Sequence, residues 1–364
     1  MTERLAVVVT TIQPPTRSMI SLAKAVSDAD ATLIVVGDAK GPTAYDLPAS
    51  QLLTLEAQRS GPFRLGRTAP VAHYARKNLG YLTAISAGAG CVYETDDDNA
   101  PLLCWAPRKR EVHVATVAER GWANVYTCFT RIPIWPRGLP LEQIRRPPVN
   151  LPTIGDSPEL VLVSSSIQQG LVNGSPDVDA IWRLLFDQPV TFGLGPSVSL
   201  SSGCFCPFNS QSTWWWPPAF PLMYLPSYCT FRMTDIWRSL IAQRCMWEIG
   251  EQVVFHPAEV VQERNEHRLL DDFRDEISGY LGNGMVAETL LATHLKRGRE
   301  YVGDNLITCY ESLVRSKHLD ARELDLLRDW LRDLEGAVPK SSLPADPSPP
   351  SPATPRTVAS AGRQ

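Results

Sequence analysis

The chain has 364 residues, of which 44% are hydrophobic and 20% are charged, and its formal net charge is −4. This composition is typical of a globular protein, and the length allows one large α/β domain or two smaller ones. An acidic chain lacks the basic surface that nucleic-acid binding requires, so we expect no nucleic-acid partner. No run of about 18 apolar residues occurs, which predicts no membrane span and makes the cytoplasm the expected compartment.

The first ninety residues alternate between strand and helix patterns. A buried strand is predicted from Leu5 to Ile12, a helix around 19–26, and a second buried strand from Thr32 to Val36. A helix is predicted from Tyr74 to Ala87, before a short strand at 91–93. This order indicates a parallel sheet with right-handed crossovers. Because no glycine-rich phosphate loop follows the first strand, dinucleotide-binding and P-loop folds lose support.

The rest of the chain changes character twice. Strands are predicted at 112–116 and 161–165 within a proline-rich, irregular middle part. Helices are then predicted at 235–247, 266–280, 285–295 and 321–334. The segment 337–364 is rich in proline and serine and cannot bury enough apolar surface to offset its ordering entropy, so we predict a disordered tail.

Three consecutive aspartates, Asp96, Asp97 and Asp98, follow the strand predicted at 91–93. Ligands of open α/β sheets bind at the carboxyl ends of the strands, where three clustered carboxylates repel one another unless a cation is present. Mn²⁺ and Mg²⁺ prefer such oxygen ligands, and residues i and i+2 of an extended segment face the same side. We therefore predict a metal site at Asp96 and Asp98, with Asp97 turned away or toward a sugar. A solvated acidic turn is the alternative interpretation, which short motifs often represent.

Other charged residues lie near predicted strand and helix ends. Asp38 follows the second strand and can accept hydrogen bonds from a nucleobase or ribose, although a turn aspartate is an equal alternative. Arg76 and Lys77 begin the helix before the aspartates, where they either neutralise phosphate oxygens or belong to a solvated helix turn. Asp235 is a candidate general base toward an acceptor hydroxyl, whereas helix capping together with Thr234 is the alternative.

Longer motifs around these positions resemble the STELLO-type glycosyltransferases. The matching segments are 76–82, 93–99, 134–138, 166–174, 176–180, 207–213 and 234–248, followed by Arg264, Asn265 and His267. The resemblance implies an α/β fold of the GT-A type, with a mostly parallel sheet flanked by helices and a helical C-terminal part. It further implies one catalytic domain over 1–336, with a nucleotide-sugar and metal half at 1–130 and an acceptor half at 131–336.

The resemblance also implies an activity and a set of site residues. The implied reaction is metal-dependent transfer of a sugar from a nucleoside-diphosphate sugar, expected to be a UDP-sugar, to an unidentified acceptor. Asp96 and Asp98 are the implied ligands of Mn²⁺ or Mg²⁺, and Asp235 and Arg76 are the implied catalytic residues. The implied substrate-binding residues are Thr11, Asp38, Lys77, Asp97, Asn209, Gln211, Trp237, Arg238, Arg264 and His267.

A more distant likeness connects the chain to the reversibly glycosylated polypeptides, which interconvert the pyranose and furanose forms of UDP-arabinose. It covers the segment ending in Asp38, the three aspartates, and Asp235 with Trp237. An arginine near the active site of that group can become glycosylated, and Arg76 is the candidate for that role here. A nucleotide-sugar mutase is therefore the first alternative function, and a non-catalytic scaffold that binds a nucleotide sugar is the second.

Overall fold

The computed structural model describes residues 3–146, 149–186, 188–263 and 268–338. Most of the predicted tail, together with Arg264 and His267, lies outside these ranges. The described part of the chain is an α/β fold with an eleven-stranded sheet, helices against it and a helical C-terminal part, which confirms the predicted fold class. None of the helices in these ranges has the length and apolar character needed to cross a bilayer.

The elements of the described residues are numbered in chain order. The strands are β1 (Leu5–Thr10), β2 (Thr32–Val36), β3 (Ser50–Leu53), β4 (Cys91–Thr95), β5 (Asn99–Pro101), β6 (Glu111–Val117), β7 (Gly121–Trp122), β8 (Val161–Ser164), β9 (Ile167–Gly174), β10 (Ser197–Leu200), β11 (Cys204–Phe205), β12 (Ser212–Trp215) and β13 (Val254–Gln262). The helices are α1 (Arg17–Asp28), α2 (Leu55–Ser60), α3 (Leu65–Thr68), α4 (Lys77–Ser86), α5 (Ala180–Phe186), α6 (Thr234–Glu248), α7 (Leu269–Ala292), α8 (Val302–Arg315) and α9 (Glu323–Ala337).

The large sheet has the strand order β3-β2-β1-β4-β12-β9-β13-β10-β6-β8, and β5 pairs with β13. Pairing is parallel from β3 through β2 and β1 to β4. Beyond β4 it becomes mixed, because β12 runs antiparallel to both β4 and β9. The carboxyl ends of β2, β1 and β4 therefore lie at one edge of the sheet, beside the residues that lead into β12.

Both faces of the parallel strands are covered, which explains the continuous apolar sequence of β1. Val7 and Val9 pack in a cluster with α1, whereas Ala6 and Val8 pack in the larger core with α4. Helix α4 approaches the sheet closely at Gly80, where a Cβ atom would lie 2.5 Å from Val8 Cγ1. This close packing places Lys77, the first residue of α4, behind the end of β4.

One helix prediction is wrong in its boundaries. The segments 266–280 and 285–295 were expected to be two helices, but a single 24-residue helix, α7, runs through both from Leu269 to Ala292. Residues 266 and 267 lie outside the described ranges. Gly282 and Gly284 lie inside it, although each glycine costs a helix about 1 kcal/mol relative to alanine. Contacts of α7 with α5, α6 and α8 offset this cost. The tryptophans 214–216, for which sugar stacking and core packing were both open, are fully buried in the core.

Candidate functional site

A cleft of about 750 Å³ opens at the sheet edge where β2, β1 and β4 end. Its volume lies within the range of ligand sites in proteins. The first half of the chain contributes Thr11, Asp38 and the three aspartates, and the second half contributes Gln211 and Asp235. Residues that are far apart in sequence thus meet in one concave site. Further polar lining residues are Thr10, Gln13, Lys40, His73, Tyr74, Arg76, Arg137, Ser175, Asp177, Arg183, Arg232 and Gln262.

The three aspartates form a turn between β4 and β5. The Asn99 N–H donates to the Asp96 carbonyl oxygen at 3.2 Å, so the run is not the extended segment on which the sequence argument for a same-side pair relied. Asp96 Oδ1 accepts hydrogen bonds from Tyr74 OH at 2.8 Å and from Lys77 Nζ at 3.1 Å. About a quarter of the Asp96 side chain, 26%, is exposed, which makes it accessible from the cleft.

Asp97 and Asp98 are held by other elements. Thr11 Oγ1 donates to Asp97 Oδ2 at 2.5 Å, which links the end of β1 to the turn. Burial raises the pKa of Asp97, and the Thr11 hydrogen bond partly offsets that rise. Gln262 Nε2 donates to both carboxylate oxygens of Asp98, at 3.1 and 3.0 Å. The three carboxylates therefore line one cleft but have different protein partners.

The donor set of this turn has the chemistry that a hard cation requires. The described residues contain no group of three or more His, Cys, Asp or Glu side chains arranged to hold a metal ion. Mg²⁺, however, commonly takes only one or two protein carboxylates and completes its coordination with water and substrate phosphates. Asp96 and Asp98 fit that incomplete kind of site, because both line the same cleft and offer only oxygen ligands.

Two basic residues expected near phosphate are engaged within the protein. The Lys77 ammonium is fully buried, and its three N–H groups donate to Tyr74 OH, Thr95 O and Asp96 Oδ1. Arg76 is also buried, and its donors are directed at the loop before it. The acceptors of Arg76 are Gln58 Oε1 and the carbonyl oxygens of Gly66, Ala69 and Pro70. These contacts position the acidic turn and its supporting loop.

Asp38 follows β2 by two residues and fixes a part of the cleft wall. Its carboxylate accepts the backbone N–H groups of Ala39, Ala72 and His73 at 2.7, 3.0 and 2.9 Å. The carboxylate thus joins β2 to the segment that precedes Tyr74. Asp38 therefore stabilises a turn, as one interpretation of the sequence expected, and also lines the cleft, as the other interpretation requires.

Asp235 lies at the start of α6, in a bidentate ion pair with Arg137. Arg137 Nη1 and Nη2 donate to the two Asp235 oxygens at 2.9 Å each, and Arg137 also binds both oxygens of Asp177 at 2.7 Å. The fifth Arg137 N–H donates to the carbonyl oxygen of Arg232. Arg137 therefore uses all its donors to join three segments of the cleft wall.

This pairing determines the acidity of Asp235. Burial pushes the Asp235 pKa upward, but the charge and hydrogen bonds of Arg137, with Arg238 and Arg232, hold the pKa below its usual value. A carboxylate with both oxygens bound to a guanidinium and a lowered pKa is a weak proton acceptor. The geometry thus assigns Asp235 a role in holding the cleft wall and argues against the predicted role as general base.

Besides Lys77, three described residues expected to bind substrate do not line the cleft. Arg238 is buried and pairs with Glu94, with Nη2 at 2.7 Å from Glu94 Oε1. Trp237 is 4% exposed and donates from Nε1 to Asn283 Oδ1 on α7, which makes it a core residue. Asn209 is buried behind Gln211, whose backbone N–H donates to Asn209 Oδ1 at 2.9 Å. The structure brings these residues behind the cleft wall, where they support it.

Several lining residues were not singled out from the sequence. Arg137 and Asp177 lie inside the matched segments 134–138 and 176–180, so position within a long motif was the available signal. His73 and Tyr74 precede α4 and carried no such signal beyond their nearness to Arg76. Burial lowers the pKa of His73, whose Nδ1 accepts the Ala75 N–H at 3.0 Å.

The comparisons with known proteins agree with the motifs. Residues 232–340 match the family model described as STELLO glycosyltransferases. The chain is 26% identical over 350 residues to "Probable glycosyltransferase STELLO1" of Arabidopsis thaliana, covering 90% of this chain and 44% of that protein. It is 28% identical over 324 residues to "Probable glycosyltransferase STELLO2" of the same plant, covering 83% and 41%. The chain is thus similar to the STELLO glycosyltransferases.

This relationship confirms the resemblance expected from the motifs. The chain spans less than half the length of the two STELLO proteins. A solved structure, the M. tuberculosis glucosyl-3-phosphoglycerate synthase, aligns with a TM-score of 0.36 at 13% identity and covers 78% of this chain and 81% of its own.

The buried Arg238–Glu94 pair generates a stability prediction. Replacing Arg238 by Met leaves the Glu94 carboxylate unpaired in the core, so we expect the free energy of unfolding to fall by about 3–5 kcal/mol. Urea denaturation measures this loss. As a matched control, Lys24→Met breaks an exposed pair with Asp28 and should cost about 0.5 kcal/mol or less. Equal effects of the two substitutions would contradict a structural role for Arg238.

Asp179, at the start of α5, generates a pH prediction. Burial raises the pKa of Asp179 to about 7, although its carboxylate accepts the Trp182 N–H at 2.7 Å. The folded protein thus binds a proton that the unfolded chain has lost, and the free energy of unfolding falls by up to about 1.4 kcal/mol per pH unit between about pH 4 and 7.

The variant Asp179→Asn keeps an oxygen that can accept the Trp182 N–H but cannot ionise. Relative to the parent, we expect this variant to gain stability from pH 5 to pH 7, as measured by urea denaturation at both pH values. Asp325→Asn, an exposed control at 86%, should show no such change. A stability difference for Asp179→Asn that does not vary with pH would contradict the assignment.

Proposed function

We propose that this chain transfers a sugar from a nucleoside-diphosphate sugar to an acceptor. The observation that carries the proposal is the convergence of Thr11, Asp38 and the Asp96–Asp98 turn in one cleft at the carboxyl ends of β1, β2 and β4. In α/β proteins this edge is where nucleotide ligands bind. The relationship to glycosyltransferases supports the same class of reaction.

The acidic turn is proposed to hold the diphosphate through Mn²⁺ or Mg²⁺. Asp96 and Asp98 would ligate the cation, which when bound supplies positive charge that stabilises the leaving diphosphate. Lys77 and Tyr74 keep the Asp96 carboxylate in place, and Gln262 does the same for Asp98. Without a cation, the three carboxylates of the turn would repel a diphosphate placed against them.

Asp38 is proposed to face the nucleoside. It already accepts three backbone N–H groups, yet each carboxylate oxygen offers more than one acceptor position. A ribose hydroxyl can bind in the same plane without displacing those contacts. A UDP-sugar is the donor we propose, and we propose that the acceptor enters from the side of Asp235 and Phe231, which line the cleft outside the sheet.

The mutase alternative has no specific support in the geometry. It depends on Arg76 as a glycosylated arginine, but Arg76 is 1% exposed and four of its five N–H groups donate within the protein. A sugar would have to displace these bonds to reach the guanidinium. Likewise, no observation favours a scaffold that binds the donor without turnover.

Removal of the carboxylates tests the proposal. We expect Asp96→Asn and Asp98→Asn each to weaken Mn²⁺-dependent binding of UDP about tenfold or more, since each loses a charged contact to the proposed cation. Isothermal titration calorimetry with UDP, at saturating and at zero MnCl₂, measures the effect, and GDP and ADP titrations show whether another base is preferred.

The matched control for these variants is Asp28→Asn, which removes an exposed carboxylate of α1 far from the turn in the chain. This control should bind as the parent does. If both cleft variants fold and retain the parent's Mn²⁺-dependent affinity, the acidic turn is not the diphosphate site.

A further inference from the structure

The side-chain amide of Gln211 is the best candidate for a ligand contact that the fold leaves unmade. Gln211 is only 8% exposed and lines the cleft. Within the described residues, its Oε1 atom is buried and has no hydrogen-bond partner. An unsatisfied buried acceptor costs a protein stability, and native structures contain few of them. A hydrogen-bond donor on a bound ligand would satisfy it.

The backbone around Gln211 is fixed by three hydrogen bonds. Its N–H donates to Asn209 Oδ1 at 2.9 Å, and its carbonyl oxygen accepts Thr95 Oγ1 at 2.7 Å and Asn99 Nδ2 at 2.9 Å. The last two bonds tie Gln211 to the two ends of the acidic turn. Its position beside that turn is therefore set before any ligand binds, which reduces the entropy lost on binding.

The order of strands arranges the polar groups along a line. Asp38 follows β2, Thr11 follows β1, the acidic turn follows β4, and Gln211 precedes β12. These strands are consecutive neighbours in the sheet. Neighbouring strands lie about 4.8 Å apart, so the line from β2 to β12 is about 14 Å long.

A nucleoside-diphosphate sugar is also a linear molecule with three parts. With the nucleoside at Asp38 and the diphosphate at the acidic turn, the sugar falls beyond β4, at Gln211. Hydroxyl groups are the hydrogen-bond donors that a sugar ring offers, and an amide oxygen is a suitable acceptor for them.

We propose that Gln211 Oε1 accepts a hydrogen bond from a hydroxyl group of the donor's sugar and thereby contributes to selection of that sugar. This inference rests on the proposed function, because it places the diphosphate at the acidic turn. A site that hydrogen-bonds a substrate hydroxyl discriminates strongly against ligands that lack it, since its own polar atom then stays unpaired.

A pair of identical substitutions tests the inference. Gln211→Leu removes the acceptor from the cleft, and Gln252→Leu is the matched control, because Gln252 Oε1 also lacks a partner in the described residues but Gln252 does not line the cleft. Removing an unpaired acceptor costs little stability, so thermal unfolding should show that both variants fold. The titrations use UDP against UDP-glucose, and GDP against GDP-mannose, each with MnCl₂.

We expect the parent and Gln252→Leu to bind one nucleotide sugar more tightly than its free nucleotide. Gln211→Leu should bind the free nucleotide as the parent does but lose about tenfold in affinity for the nucleotide sugar, as expected for one buried hydrogen bond. Equal affinities of the parent and Gln211→Leu for the nucleotide sugar would overturn the inference, and would leave the proposed function standing. If the parent binds none of the four ligands, the proposed function fails and the inference fails with it.

Discussion

The buried ion pair between Glu94 and Arg238 fixes the position of the acidic turn. Glu94 is fully buried on β4, two residues before Asp96, and it also accepts hydrogen bonds from Tyr81 of α4 and Trp215 of β12. Arg238 lies on α6 and its guanidinium stands over the Trp215 ring at 4.9 Å. One carboxylate thus joins two helices to two strands directly behind the cleft. Such a pair is costly to leave half-formed, so it favours one arrangement of these elements.

A second consequence of the fold is that almost every charge in the cleft wall has a defined partner. Lys77 holds Asp96, Arg137 holds both Asp177 and Asp235, and Arg232 Nη2 lies 2.7 Å from Glu276 Oε1 of α7. These basic side chains form ion pairs within the cleft wall. The basic residues nearest the acidic turn are thus paired with carboxylates, which is why a cation bound at the turn is part of the proposed function.

The parallel strands and their ends were predictable because their signals are local. The apolar runs of β1 and β2 and the strand before the aspartates are visible in the sequence. Because parallel strands end at one edge of the sheet, these runs also predict where a ligand site forms. The helix α6 was predicted from Asp235 to Trp247 and extends from Thr234 to Glu248. The acidic run was correctly placed at a strand end, but the metal prediction assumed an extended backbone there, and the turn that the structure shows was only the alternative interpretation.

The contacts that decide the role of each charged residue were not predictable. Arg238 and Asp235 lie three residues apart on one helix, yet one is buried against Glu94 and the other is paired with Arg137 at the cleft. Their partners are about a hundred residues or more away in sequence, where no periodicity or spacing connects them. Similarly, Arg76 follows directly from a loop whose carbonyl oxygens surround it, and nothing in the residue types indicates that loop's path.

Hydrogen–deuterium exchange of the full chain tests most directly whether the donor binds at these strand ends. The exchange is compared with and without UDP plus MnCl₂, and with GDP in parallel. We expect slower exchange at the backbone amides of 11–13, 97–99 and 210–212. Exchange should be unchanged at 294–297 and Tyr301, which line a second cavity together with Arg244 and Glu248 of α6. Slower exchange confined to that second cavity, or no change at the three segments with either nucleotide, would contradict donor binding at these strand ends.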